Sequence, residues 1–132
     1  MDTSGFLALW DATDAHHSSA VRLQANLARS KRGFVTTDYV IDETVTLLLV
    51  RHSHAAASDF LETVGDSESL RVEWVASDLF YRAADFFRGH KDKEWSFTDC
   101  VSFTVMRDSD IQDCFTTDRH FRQAGFTALL KR

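Results

Sequence analysis

Apolar residues recur at helical spacing in Ala20, Leu23 and Leu27, and again in Ile41, Val45, Leu48 and Leu49. The short β-rich run Phe34-Val35-Thr36-Thr37 separates them. The pattern predicts helix, strand, helix. Ala57, Phe60, Leu61 and Val64 mark a further amphipathic helix with Gly65 as its stop, and Leu70 to Val75 alternates apolar and polar residues as a half-buried strand does. Ser77 and Asp78 are expected to cap a helix carrying Leu79, Phe80, Ala83, Ala84 and Phe87, which Gly89 ends. After the charged loop at 91–94, Ser96-Phe97-Thr98-Asp99 reads as a capping box, with Asp in place of Glu or Gln, opening a helix to about Met106. A strand over Ile111 to Thr116, a short helix from Asp118 to Gly125 and a strand over Phe126 to Leu130 complete the chain. Strands alternating with helices, with no proline and no linker-like tract, predict one α/β domain over residues 1–132 built on a parallel sheet. The strand that should lead into Asp2 has almost no residues, so a truncated first strand is expected.

Composition supports a real core, with 44% hydrophobic residues including 11 Phe, 3 Trp and 2 Tyr. No apolar run approaches the roughly 20 residues of a membrane span, and the N-terminus lacks the pattern of a signal peptide, so the chain reads as cytoplasmic. Cys100 and Cys114 are too few for a disulfide framework and are expected to be reduced and buried. Fifteen Lys plus Arg against 20 Asp plus Glu give a net charge of -5, the wrong sign for gripping nucleic acid by bulk electrostatics. A nucleic-acid site would need a local reversal of that sign.

Four acids supply a way to obtain it. Asp2 and Asp118 fall where a strand passes into a helix, which in a parallel sheet is the carboxyl edge where α/β proteins gather ligands. Asp99 lies in the first turn of a helix, and Glu43 follows the Phe34 strand by about one helical turn. Carboxylates that converge without basic partners repel one another unless a hard cation compensates. Oxygen ligands favour Mg²⁺ or Mn²⁺ over zinc, and such a cup suggests metal-assisted phosphodiester hydrolysis.

Four segments carry a resemblance. Asp2-Thr3-Ser4-Gly5-Phe6-Leu7-Ala8-Leu9, Thr37-Asp38-Tyr39-Val40-Ile41-Asp42-Glu43-Thr44, Ser96-Phe97-Thr98-Asp99 and Thr116-Thr117-Asp118-Arg119-His120-Phe121 together resemble the PIN domain, in particular VapC-type toxin ribonucleases. The likeness runs from residue 2 to about residue 130. It implies a three-layer α/β/α sandwich and a Mg²⁺- or Mn²⁺-dependent endoribonuclease that acts on RNA, forms a homodimer and is inhibited by a small antitoxin protein. Asp2, Glu43, Asp99 and Asp118 match the family's acidic quartet. By that resemblance Asp2 and Asp99 are the principal metal ligands, Glu43 orients water or completes the shell, and Asp118 holds a second metal or a water. Thr3, Ser4 and Thr116 stand where the family places hydroxyls that support ligands or contact phosphate. The implied reaction is attack of water on the phosphodiester, leaving a 5'-phosphate on one product.

Lys91 and Lys93, in the loop before Asp99, and Arg119, after Asp118, are the basic residues expected to touch RNA. His52 and His54 alternate on a helix, which splays their rings away from a common metal. Trp10, Trp74 and Trp95 are expected in core or dimer packing rather than against bases. A haloacid dehalogenase-like phosphatase needs a second Asp two residues after the first, where this chain has Ser4. The competing reading is a catalytically weak or inactive PIN-like scaffold that binds RNA or a protein partner.

Overall fold

The computed structural model describes residues 1–130, so Lys131 and Arg132 of the expected domain lie outside the described residues. Helix α1 (Thr3–Trp10) opens where the Asp2 carboxylate caps it by accepting the Gly5 N–H, and α2 (His17–Arg29) follows. Strand β1 (Phe34–Thr37) passes directly into α3 (Asp38–Arg51), with the Thr37 hydroxyl accepting the Val40 N–H as N-cap. Then come α4 (His54–Asp66), β2 (Leu70–Glu73), α5 (Ser77–Gly89), α6 (Phe97–Asp108), β3 (Asp113–Cys114), α7 (Arg119–Gln123) and β4 (Thr127–Ala128).

All strand pairing is parallel. β1 pairs with β2 in the register Phe34 to Leu70 through Thr37 to Glu73, and β3 pairs with β4 through Asp113–Thr127 and Cys114–Ala128. No strand is assigned ahead of α1 among the described residues. Instead the Met1 ammonium donates to Val35 O at 2.7 Å, Thr36 Oγ1 donates to Met1 O at 2.9 Å, and the Asp2 N–H reaches Phe115 O at 3.5 Å. Met1 and Asp2 thus stand between β1 and β3 and tie the two strand pairs together at the edge that carries the acids. Beneath them a cavity of about 200 Å³ separates the rest of β1 from β3.

Neighbouring residues of the β3 segment face opposite layers, as the period-2 geometry of an extended chain dictates. Cys114 packs in a cluster with Trp95, Phe103 and Phe121 from the α6 and α7 side, whereas Phe115 packs with Ala8, Ala20 and Leu27 from α1 and α2. That gives helices on both faces of the strands, the α/β/α layering expected. A third cluster joins Phe6, Val40, Leu48 and Phe60 across α1, α3 and α4. Phe60, Phe103 and Phe121 are fully buried, each worth about 1.5–3 kcal/mol relative to exposure.

Several boundaries differ from the sequence pattern. Gly65 lies inside the last turn of α4, whereas α5 does end at Gly89 as expected, and Gly125 alone of the glycines takes a positive φ, +94°. α5 is capped at Ala76 with no side-chain bond, so Ser77 and Asp78 are its first helical residues. β2 ends at Glu73 because the Val75 N–H donates to the Asp38 carboxylate at 3.0 Å instead of to a strand. β3 and β4 are two residues each, since the chain at Phe115 and Thr116 turns its polar groups to Asp2 rather than to a neighbouring strand. Trp10 and Trp95 pack into the core as expected, but Trp74 is 71% exposed.

Candidate active site

Three helix starts bring three acids to one place. Asp2 is the N-cap of α1, Asp118 is the N-cap of α7, and Asp99 is the third residue of α6, where it completes a capping box. In that box the Asp99 N–H donates to Ser96 Oγ at 3.0 Å and the Ser96 N–H returns to Asp99 Oδ2 at 3.2 Å. Capping fixes these side chains because helix N-termini present backbone donors that anions satisfy. Glu43 arrives from the second turn of α3, and its carboxylate makes no hydrogen bond among the described residues.

All four line one cup of about 290 Å³, together with Thr3, Ser4, Asp14, Arg51, Thr98 and other residues. Five carboxylates in that lining face a single cation, Arg51. Arg51 reaches the cup from the end of α3, two turns beyond Glu43. Lys91, Lys93 and Arg119 do not line the cup. Arg119 points to Glu94 at 4.0 Å, and Lys93 lies 5.9 Å from the centre of the Trp95 ring. His52 pairs with Asp11 at 3.3 Å, away from the acids.

Asp2 is the most enclosed of the quartet, 6% exposed. Its Oδ1 accepts Gly5 N–H at 3.0 Å and Ser4 Oγ–H at 2.9 Å, and its Oδ2 accepts Thr116 Oγ1–H at 2.8 Å. Thr116 Oγ1 in turn accepts the Asp118 N–H at 2.9 Å, so one buried hydroxyl links two of the acids. Ser4 Oγ accepts the Thr117 N–H at 3.0 Å. Ser4 and Thr116 therefore hold the Asp2 carboxylate in position. Thr3, also 8% exposed, has a buried hydroxyl with no hydrogen-bond partner among the described residues.

Burial pushes the Asp2 carboxyl up to about 6, against the opposing pull of its hydrogen bonds from Gly5 and Thr116. Burial likewise raises Asp99, and repulsion from Asp118 adds to the rise. His120 reaches both, with Nδ1 3.1 Å from Asp99 Oδ2 and 3.4 Å from Asp118 Oδ1. One ligand atom from each of Asp99, Asp118 and His120 falls within 4.8 Å of the others, a spacing that a single cation can bridge. The donor chemistry fits Mg²⁺ or Mn²⁺: carboxylate oxygens dominate, no thiol lines the cup, and the acids are held in a state that costs energy to ionise without added positive charge. The cysteines lie elsewhere, both buried and free, with burial raising Cys100 to about 11 and Cys114 further still.

Comparison with known proteins agrees with this architecture. The PIN domain family model matches residues 1–127. The 23S rRNA-specific endonuclease VapC20 of Mycobacterium tuberculosis, in strains CDC 1551 and H37Rv, is 42% identical over 131 residues, which span 96% of this chain and 93% of that protein. The crystal structure of Mycobacterium tuberculosis VapC20, described as a sarcin-ricin loop cleaving toxin, superposes with a TM-score of 0.86 at 38% identity, covering 97% of this chain and 95% of that one. With a family match over nearly its whole length and a relative this similar over 96% of it, the chain belongs to the PIN domain family and is of the VapC type.

Proposed function

We propose that the protein is a Mg²⁺- or Mn²⁺-dependent endoribonuclease, the toxin of a toxin-antitoxin pair. The observation that carries this reading is the meeting of Asp2, Glu43, Asp99 and Asp118 in one cup with only Arg51 to balance them. Its similarity to a 23S rRNA-specific endonuclease points to structured ribosomal RNA as the substrate.

In this reading Asp2 and Asp99 are the principal metal ligands, with Glu43 and Asp118 completing the shell or orienting water. When bound, the cation supplies Lewis-acid stabilisation of the phosphoryl oxygens and lowers the pKa of water to a useful range. The rest of the work belongs to the chain. Ser4 and Thr116 keep the Asp2 carboxylate fixed, and the α6 capping box keeps Asp99 fixed, so neither must reorganise during reaction. Arg51 is the cup's own partner for an RNA phosphate, with Lys91, Lys93 and Arg119 supplying contacts to more distant phosphates. Water is the nucleophile, and the two buried thiols take no part. A small antitoxin protein and a second copy of the chain are the protein partners, and the exposed side chains of Trp74 and Tyr81 give apolar surface for subunit contact.

Purified protein incubated with 23S rRNA and Mn²⁺ should yield a discrete cut with a 5'-phosphate. EDTA should abolish it, and Asp99→Asn should slow it by about 100-fold or more, the scale on which lost charge stabilisation acts. Cleavage that ignores both EDTA and the substitution contradicts the metal mechanism.

A further inference from the structure

His120 lies outside the acidic quartet, yet it is the side chain through which Asp99 and Asp118 meet. It is the second residue of α7, whose N-cap is Asp118, and its side chain is 20% exposed. Nδ1 stands 3.1 Å from Asp99 Oδ2, a hydrogen-bond distance. An ionised carboxylate only accepts, so the proton of this contact sits on Nδ1 and His120 is the donor. Asp99 Oδ2 also accepts the Ser96 N–H, so it is engaged from two sides and Oδ1 carries no hydrogen bond among the described residues. Asp118 is divided the same way: Oδ1 accepts the His120 N–H at 2.9 Å and lies 3.4 Å from Nδ1, while Oδ2 carries no hydrogen bond among the described residues.

We propose that His120 is a positioning residue, whose Nδ1–H takes one oxygen of Asp99 and braces Asp118 so that one free oxygen of each carboxylate is presented to a divalent cation. The inference rests on the metal reading above and goes beyond it by assigning a role to a residue that is not an acid. The imidazole adds a polar tie at the start of α6 and of the five-residue α7, two elements already packed together through Phe103 and Phe121. Direct ligation by Nδ1 would require the donated proton to leave and the Asp99 contact to break. Second-sphere donors of this kind orient ligands and set metal affinity.

Binding of Mn²⁺ alone, measured by calorimetry on the full chain, tests it with four proteins whose melting temperatures are recorded alongside. His120→Ala should weaken Mn²⁺ binding roughly 10- to 100-fold, the usual effect of removing such a partner. His120→Asn places an amide N–H near the Nδ1 position and should restore most of the affinity, whereas His120→Gln reaches toward the Nε2 position and should stay weak. Pulsed electron paramagnetic resonance of Mn²⁺-loaded wild type should show no coupling to a directly bound nitrogen. Wild-type affinity in the Ala variant, or equal weakness of the Asn and Gln variants, overturns the positioning role while leaving the metal reading standing. A directly bound nitrogen overturns it in favour of ligation. Wild type that binds no Mn²⁺ overturns both. If the Ala variant fails to fold, the Asn and Gln pair and the nitrogen spectrum decide the question without it.

Discussion

Asp2 holds a carboxylate where an uncharged group would be more comfortable. Its pKa in the folded chain, about 6, lies above the ordinary 3.8, so the folded state binds that proton more tightly than the unfolded one. The sign follows by linkage: the contribution of Asp2 to stability is most favourable below about pH 4, falls as pH rises toward 6, and stays low above it. Two units correspond to about 3 kcal/mol at most, since each unit is about 1.4 kcal/mol. Asp2→Asn should therefore raise the melting temperature of metal-free protein at pH 7.5 by several degrees and flatten its dependence on pH between 4 and 6. Added Mn²⁺ should stabilise the wild type and leave the Asn variant unmoved. A variant that melts with the wild type across that range would show that the buried charge is not strained. The same proton competes with the cation, so metal affinity should fall as pH drops below about 6.

At the scale of elements, the cup depends on how closely α1 approaches β3. A Cβ on Gly5 would stand 2.1 Å from Phe115 O and 2.8 Å from the Phe115 ring, so the helix cannot seat there with any side chain at that position. The Gly5 N–H also holds Asp2 Oδ1. Gly5→Ala should cost about 1–3 kcal/mol or more through overpacking, read as a lower midpoint in urea unfolding, and should depress cleavage because Asp2 moves with the helix. Unchanged stability and activity would mean that α1 has room the structure does not show. Much of this scale was legible beforehand. Ser96-x-x-Asp99 announced the capping box, and Phe34–Thr37 announced β1 with both ends correct. What was not legible arises from long-range hydrogen bonds: β2 stops where Asp38 captures Val75, and the β3 segment yields its polar groups to Asp2, 114 residues from Thr116. His120 stands in the Thr116–Phe121 segment that carries the resemblance, but nothing in the local sequence gives it a role. Only the fold brings Asp99, 21 residues away, against the ring.

Across the whole molecule the charge is distributed unevenly. Five of the 20 acids line the cup with one of the 15 bases, leaving the rest of the chain close to neutral. The net -5 is thus largely local, a field that draws a divalent cation before it repels RNA. Among the described residues no helix is long and apolar enough to cross a membrane. The central claim is that Asp2, Glu43, Asp99 and Asp118 converge in order to share a cation, and anomalous diffraction from crystals soaked in Mn²⁺ tests it most directly. The account predicts a strong anomalous peak in the cup, bonded by carboxylate oxygens of Asp2 and Asp99 and lost in Asp99→Asn crystals. An empty cup in crystals that take up Mn²⁺ elsewhere would contradict it.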